Sequence, residues 1–100
     1  MGAPRVKLAG EELRARAAQL SGWEVAEERL LTKTFLFPDF KNALDFVNRV
    51  GAVAEDQGHH PDLHLGWGRV GVETWTHDAG GITESDFQLA AKIDQQFFAR

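Results

Sequence analysis

Of the side chains that titrate near neutral pH, the chain has 4 histidines, and three of them stand among acidic residues at positions that read as element ends. His59 and His60 lie in Glu55-Asp56-Gln57-Gly58-His59-His60-Pro61-Asp62, and His77 lies in Thr76-His77-Asp78. Loop positions of this kind are where binding and catalytic groups concentrate. Two imidazoles that follow a helix C-terminus feel the negative end of its dipole, which favours imidazolium, and Pro61 restricts His60 to an extended backbone. The group can serve as proton donors and acceptors; from spacing alone it also reads as a chance surface pair. A metal centre built from His59, His60, His64 and His77 with Glu55, Asp56, Asp62 or Asp78 is a third reading. Spacing argues against it, because neighbours in an extended segment point apart and no helical HExxH pair sets two imidazoles on one face. No bound metal is expected.

Other chemistries have weaker signals. With 0 cysteines there is no thiol nucleophile, disulfide or thiolate zinc site, and Ser21 and Ser85 stand where helix-end capping already explains them. Gly80-Gly81 lacks the lysine of a phosphate loop and reads as a turn. Trp23, Trp67 and Trp75 read as core or interface anchors, or as flat apolar surface for a heteroaromatic ligand.

The elements that must position these residues follow from periodicity. Leu13, Ala17 and Leu20 recur at helical spacing behind Glu11 and Glu12, which predicts a helix over 10–20 whose start lacks a capping oxygen. Trp23 and Val25 alternate with polar neighbours, Glu27-Glu28-Arg29 is a short polar connection, and 30–37 alternates up to Pro38; together they predict a hairpin. Asp39 is placed to cap the longest helix, on which Phe40, Leu44, Val47, Val50 and Ala54 form a stripe widened by Ala43, Phe46 and Val53, with Gly58 as its left-handed stop. Leu63, Leu65 and Trp67, then Val70, Val72, Thr74 and Thr76, predict a second hairpin turning at Gly66-Trp67-Gly68. Thr83 and Asp86 form a capping box for a last helix that buries Leu89, Ala90, Ile93 and Phe97.

The order α-β-β-α-β-β-α, with strand pairs joined too tightly for parallel crossovers, predicts an α+β two-layer sandwich: a four-stranded antiparallel sheet with helices on one face. A chain of 100 residues, 43% hydrophobic and 26% charged, is expected to be a single domain over 1–100 that buries about two-thirds of its unfolded surface. A net charge of -4 with scattered basic residues speaks against direct nucleic-acid binding. No apolar run is long enough for a membrane span, and residues 1–10 lack a signal-peptide core, so a cytoplasmic protein is expected. Open sheet edges and apolar residues beyond one helical stripe predict a homodimer or homotetramer.

The motif 55–62, followed by Trp67, Thr76-His77-Asp78 and Thr83-Glu84-Ser85-Asp86, resembles the signature of the pterin-4a-carbinolamine dehydratases in residue type and spacing. The resemblance extends to Gly22-Trp23 and to Phe35-Leu36-Phe37-Pro38-Asp39-Phe40, and so covers most of the chain. It implies a hydro-lyase that dehydrates 4a-hydroxytetrahydrobiopterin to quinonoid dihydropterin during tetrahydrobiopterin recycling, beside the aromatic amino-acid hydroxylases, with no metal or organic cofactor. His59 and His77 would then be general acids or bases on opposite sides of the pterin, with His60 holding the ring and assisting proton transfer. Asp86 would orient a histidine or bind the amino edge of the pterin, Glu55 would stabilise an imidazolium, and Pro61 and Trp23 would shape the pocket. Leu63, Gly71 and Ala79 depart from the family pattern as regards pocket shape, and none replaces a proton-transfer group. The alternative is a non-catalytic binding module, since relatives of this fold also serve as a dimerisation cofactor for a transcription factor and as a Rubisco assembly factor. Such a module has no need of three imidazoles and an aspartate at this spacing.

Overall fold

In the longest helix, α2 (Phe40–Gln57), the sequence terminates both ends locally. Asp39 caps the first turn by accepting from the Asn42 amide at 2.8 Å, which holds its carboxyl below the usual range. Gly58 closes the other end at φ 66, a left-handed conformation that a side chain would strain, and the His59 amide donates back to the Ala54 carbonyl at 3.2 Å. The computed structural model describes residues 6–99. Its remaining elements are α1 (Gly10–Ala17), β1 (Glu24–Ala26), β2 (Leu30–Leu36), β3 (Asp62–Gly66), β4 (Arg69–Thr74), a single 3-10 turn (His77–Ala79) and α3 (Glu84–Phe98).

The four strands form one antiparallel sheet in the order β1-β2-β4-β3. Each hairpin pairs within itself, and the two join at the centre, where Leu31 lies opposite Thr74 and Phe35 opposite Val70. Alternation then sorts the faces. Leu31, Phe35, Val70, Val72 and Thr74 are buried towards the helices, whereas Thr34, Leu36 and Arg69 on the opposite register are exposed. Between sheet and helices lies a core in which Phe35, Phe37, Phe46 and Phe97 meet with ring centroids 4.8–6.0 Å apart. The expected α+β sandwich is the fold observed.

Lys33 shares the inward register of Leu31 and Phe35, yet its ammonium finds Asp94 of α3 at 2.9 Å and the Ser21 carbonyl at 2.9 Å. A cation between sheet and helix is therefore paired, as burial requires. At the start of α3, Arg16 of α1 grips Glu84 with a second contact at 2.9 Å, and that hydrogen bond holds the Glu84 carboxyl below its ordinary range.

Three boundaries differ from periodicity. The helix expected over 10–20 ends at Ala17, because the following amides of Gln19 and Leu20 tighten into bonds three residues back. Strand β4 stops at Thr74, while Thr76 reappears in an isolated bridge with Gly81. On α2 the buried positions are Ala43, Phe46, Val50 and Ala54, so the stripe is rotated and leaves Phe40 and Leu44 exposed. A broad apolar face contains both stripes, and contact with β2 and α3 selects between them.

The β1–β2 turn is where the backbone is least comfortable. Glu27 and Glu28 both have positive φ, 55° and 56°, and the Arg29 amide closes the turn on the Ala26 carbonyl at 2.9 Å. That is the hairpin geometry for which Asn-Gly is preferred, held here by two residues with a Cβ. Glu28→Gly should stabilise the fold by roughly 1 kcal/mol, the relieved left-handed strain exceeding the added chain entropy and a weak exposed pair with Arg14. Denaturant midpoints of the two proteins check it; an unchanged or lower midpoint would show that the turn is not strained.

Candidate functional site

Asp86 is the third residue of α3 and has no exposure to solvent. Its position is set by the capping box: the Thr83 amide donates to Asp86 Oδ2 at 2.9 Å, and Thr83 Oγ1 accepts from the Ser85 amide at 3.3 Å. Strand β4 and the segment after it supply further donors. Thr74 donates to Oδ1 at 2.6 Å, and Thr76 donates to Oδ2 at 2.9 Å. A hydroxyl has one proton, so Thr76, having given its own to Asp86, receives that of Thr83 across 2.7 Å. The fourth donor is His59 Nε2, 2.6 Å from Oδ1.

These contacts decide the charge of Asp86. Burial pushes the carboxyl up, and the hydrogen bonds from His59, Thr74, the Thr83 amide and Thr76 together outweigh burial, leaving it below its ordinary range. An ionised carboxylate only accepts, so the facing Nε2 of His59 carries a proton and Nδ1 is the ring atom left to exchange protons elsewhere. Since its oxygens are held by four protein donors and no surface is open, the orienting role fits Asp86 and direct contact with a ligand does not.

His59 is buried, yet it forms part of the wall of a cavity of about 240 Å³ lined by Gly58, His59, His60, Trp75, His77 and Asp78. The left-handed Gly58 turns the chain out of α2 so that His59 enters from one side. His60 follows, exposed, with Nε2 at 2.6 Å from Glu55 Oε2 on the last turn of the same helix. Half-buried Pro61 then leads into β3. His77 arrives from a separate loop, which is pinched at its neck where the Thr76 amide bonds the Gly81 carbonyl at 2.8 Å and the Gly80 amide bonds the Thr76 carbonyl at 3.0 Å. Its ring stacks on Trp75, centroids 4.7 Å apart and planes 29° from parallel.

The structure thus brings His59, His60, His77, Glu55 and Asp86 into one neighbourhood. Trp23 stands apart from it. The indole N–H is shared between both Asp94 oxygens at 3.0 and 3.1 Å, and the ring meets Phe35 edge-on, so its place is the core beside α3 rather than the wall of this cavity. His64 is exposed on β3, 3.4 Å from Glu73. Among the described residues no three His, Asp or Glu side chains are grouped to hold a metal ion.

The family model described as pterin 4 alpha carbinolamine dehydratase matches residues 6–96. The chain belongs to that family. A Rubrobacter xylanophilus protein, provisionally named a pterin-4-alpha-carbinolamine dehydratase, is 54% identical over 94 residues, which is 94% of this chain and 86% of its own. The mitochondrial pterin-4-alpha-carbinolamine dehydratase 2 of Arabidopsis thaliana is 47% identical over 77% of this chain and 43% of its own. A crystal structure titled transcriptional coactivator/pterin dehydratase, from Brucella melitensis, matches with a TM-score of 0.85 and 32% identity over 90% of this chain and 97% of that one. A pterin dehydratase-like RuBisCO assembly factor of the alpha-carboxysome, 22% identical, has the same fold at a TM-score of 0.64 over 75% of this chain and 88% of its own.

Residue pattern alone misses two parts of this dehydratase-family site. Thr74 and Thr76 count there only as alternating strand residues, although two hydroxyls in the inward register, behind Val70 and Val72, are polar groups that need a buried partner. Trp75 is there one of three tryptophans read as core or interface anchors or as ligand surface, and only its stack on His77 singles it out.

The network has a testable acid signature. A carboxyl whose folded pKa lies below its unfolded value adds stability at pH above the ordinary carboxylate range, and that stability is lost as pH falls through the folded value. Asp86→Asn should cost about 3 kcal/mol at pH 7, because an amide returns only part of what a carboxylate accepts from four donors. The variant should also lose stability less steeply on acidification, retaining the portions due to Glu84 and Asp39. Urea titrations from pH 7 to pH 3 check both; parallel pH curves for the two proteins would show that Asp86 is not the titrating group.

Proposed function

We propose that this protein is a hydro-lyase that dehydrates 4a-hydroxytetrahydrobiopterin to quinonoid dihydropterin and water. The observation that carries the reading is the convergence of His59, His60 and His77 on one cavity backed by the stacked face of Trp75. Membership of the dehydratase family supports it.

The chemistry asks little more than proton transfer. The C4a–O bond breaks as the hydroxyl takes a proton and leaves as water, N5–H gives up its proton to a base, and C4a=N5 forms. No electrons are exchanged with a redox partner, and imidazoles that titrate near neutrality can perform both transfers. His59 works through Nδ1, its ring held by Asp86. His77 works from the opposite side, steadied by Trp75. His60, anchored by Glu55, holds the pterin ring and assists proton transfer, and Pro61 keeps that segment extended. The product feeds tetrahydrobiopterin recycling after aromatic amino-acid hydroxylation, in a cytoplasm whose reducing conditions suit a cysteine-free chain.

The same reading includes assembly into a homodimer or a dimer of dimers. Its support is apolar surface: Leu36, Phe40, Leu44 and Phe98 are 39–75% exposed in the single chain. Sedimentation velocity at micromolar concentration should show a species of two or four chains, and a monomer would remove the assembly.

Stopped-flow decay of synthetic 4a-hydroxytetrahydrobiopterin tests the enzyme. His59→Ala and His77→Ala should each slow turnover by roughly a hundredfold or more, with smaller effects on binding. His60→Ala should weaken pterin affinity as well as rate. Circular dichroism controls for folding, most importantly for His59, whose loss leaves Asp86 one donor short. A folded His59→Ala/His77→Ala protein with wild-type turnover would overturn the site assignment and favour a non-catalytic binding module.

A further inference from the structure

Between the loop of His77 and the helix of Asp86 runs a short stretch, Gly81 to Glu84, that is held by two sets of partners. The first set belongs to the site. Gly81 exchanges backbone bonds with Thr76 at 2.8 and 3.3 Å, and the amide and hydroxyl of Thr83 reach Asp86 and Thr76. The second set comes from residues 7–16. The Leu8 amide donates to the Ile82 carbonyl at 2.8 Å, and Arg16 of α1 donates to both carboxylate oxygens of Glu84, to one of them across 2.9 Å. A two-pronged contact of this kind fixes direction as well as distance. The same guanidinium lies 4.8 Å from the centre of the Phe87 ring. At Gly81 a Cβ would stand 2.9 Å from Lys7 Cε and 3.3 Å from its Cδ and Cγ, so the lysine stem lies against the neck of the His77 loop. Leu13, between these contacts, is fully buried and fastens α1 to the core.

Resting on the dehydratase reading, we propose that residues 7–16 form a clamp that positions His77 and Asp86 for proton transfer, with Arg16 as its positioning residue. The clamp acts through Gly81–Glu84, which joins the neck of the His77 loop to the first turn of α3. Ile82 and Glu84 stand on either side of Thr83, the cap that faces Asp86, so a shift of either moves the cap. A loop as short as 77–80 stands where its neck is held. Proton transfer is sensitive to such placement, since an error of about 1 Å introduced far from the chemistry can cost about a hundredfold in rate. The plainer reading is that Arg16 and Glu84 only dock α1. The two readings differ in a folded protein, where a clamp governs kcat and simple docking does not. Arg14 supplies the control, because it lies on the same helix and pairs instead with Glu28, at 3.9 Å.

The test uses Arg16→Met, which keeps the stem over Phe87 and removes the grip on Glu84, and Glu84→Gln, which keeps the shape of the contact without its charge. At a temperature where every protein is folded, kcat for 4a-hydroxytetrahydrobiopterin should fall about tenfold in Arg16→Met and less in Glu84→Gln, with KM within about twofold. Arg14→Met should match the wild type. Amide hydrogen exchange of the ligand-free proteins reads the clamp itself: the Leu8, Gly81 and Thr83 amides should exchange about tenfold faster in Arg16→Met, while the β2–β4 pair keeps its wild-type rates. Wild-type kcat in both folded variants overturns the proposal, and so does faster exchange at Leu8 without any at Gly81 and Thr83. Should Arg16→Met not fold, Glu84→Gln decides by the same two readouts. Should the wild type not dehydrate the substrate, the functional reading fails separately, and exchange at Gly81 and Thr83 still decides the clamp.

Discussion

One buried carboxylate ties the working parts of this protein together. Asp86 receives hydrogen bonds from β4, from the segment that follows β4, from the cap of α3 and from the residue that leaves α2. A charge with no access to water is tolerable only when its lone pairs are occupied, and each partner comes from a different stretch of chain. Satisfying Asp86 therefore requires α3 to be capped by Thr83, β4 to present Thr74 inward and α2 to stop at Gly58. The same contacts hold one ring nitrogen of His59 to the carboxylate and turn the other loose.

The remaining imidazoles are positioned by lighter means. His60 depends on a contact with Glu55 at the surface, and His77 depends on a stack against Trp75 at the edge of a loop closed by two backbone bonds. On the proposed function, this gradient from a rigid, buried group to accessible ones suits proton transfer to a flat ligand: one imidazole is fixed in tautomer and direction, and the others are left to settle against the ligand.

Much of this is legible in the residues, where the physics is local. Asp39, Gly58 and the Thr83–Asp86 box announce helix ends by side-chain and backbone chemistry that needs no tertiary partner, and alternation from Val70 to Thr76 states which side chains turn inward. What depends on distant partners is not legible. The apolar face of α2 is broad enough for two stripes, and only packing chooses Phe46 and Val50 over Phe40 and Leu44. The central β2–β4 pairing joins segments separated by the whole of α2. The backbone of Glu27 and Glu28 contradicts residue preference outright, and nothing in two consecutive glutamates signals it. Trp23 is drawn towards the core by Asp94, a residue whose own position follows from the docking of α3.

Because Asp86 caps a helix as well as steering an imidazole, descent would treat the two kinds of site residue differently. A lineage that abandoned chemistry for a binding role could shed His60 and His77 from the surface with little damage to folding, yet would still need an acceptor inside the turn that Thr74, Thr76 and Thr83 surround. The aspartate is therefore a marker of architecture among related chains. The exposed histidines, which nothing in the fold requires, would on the proposed function be the better marker of catalysis.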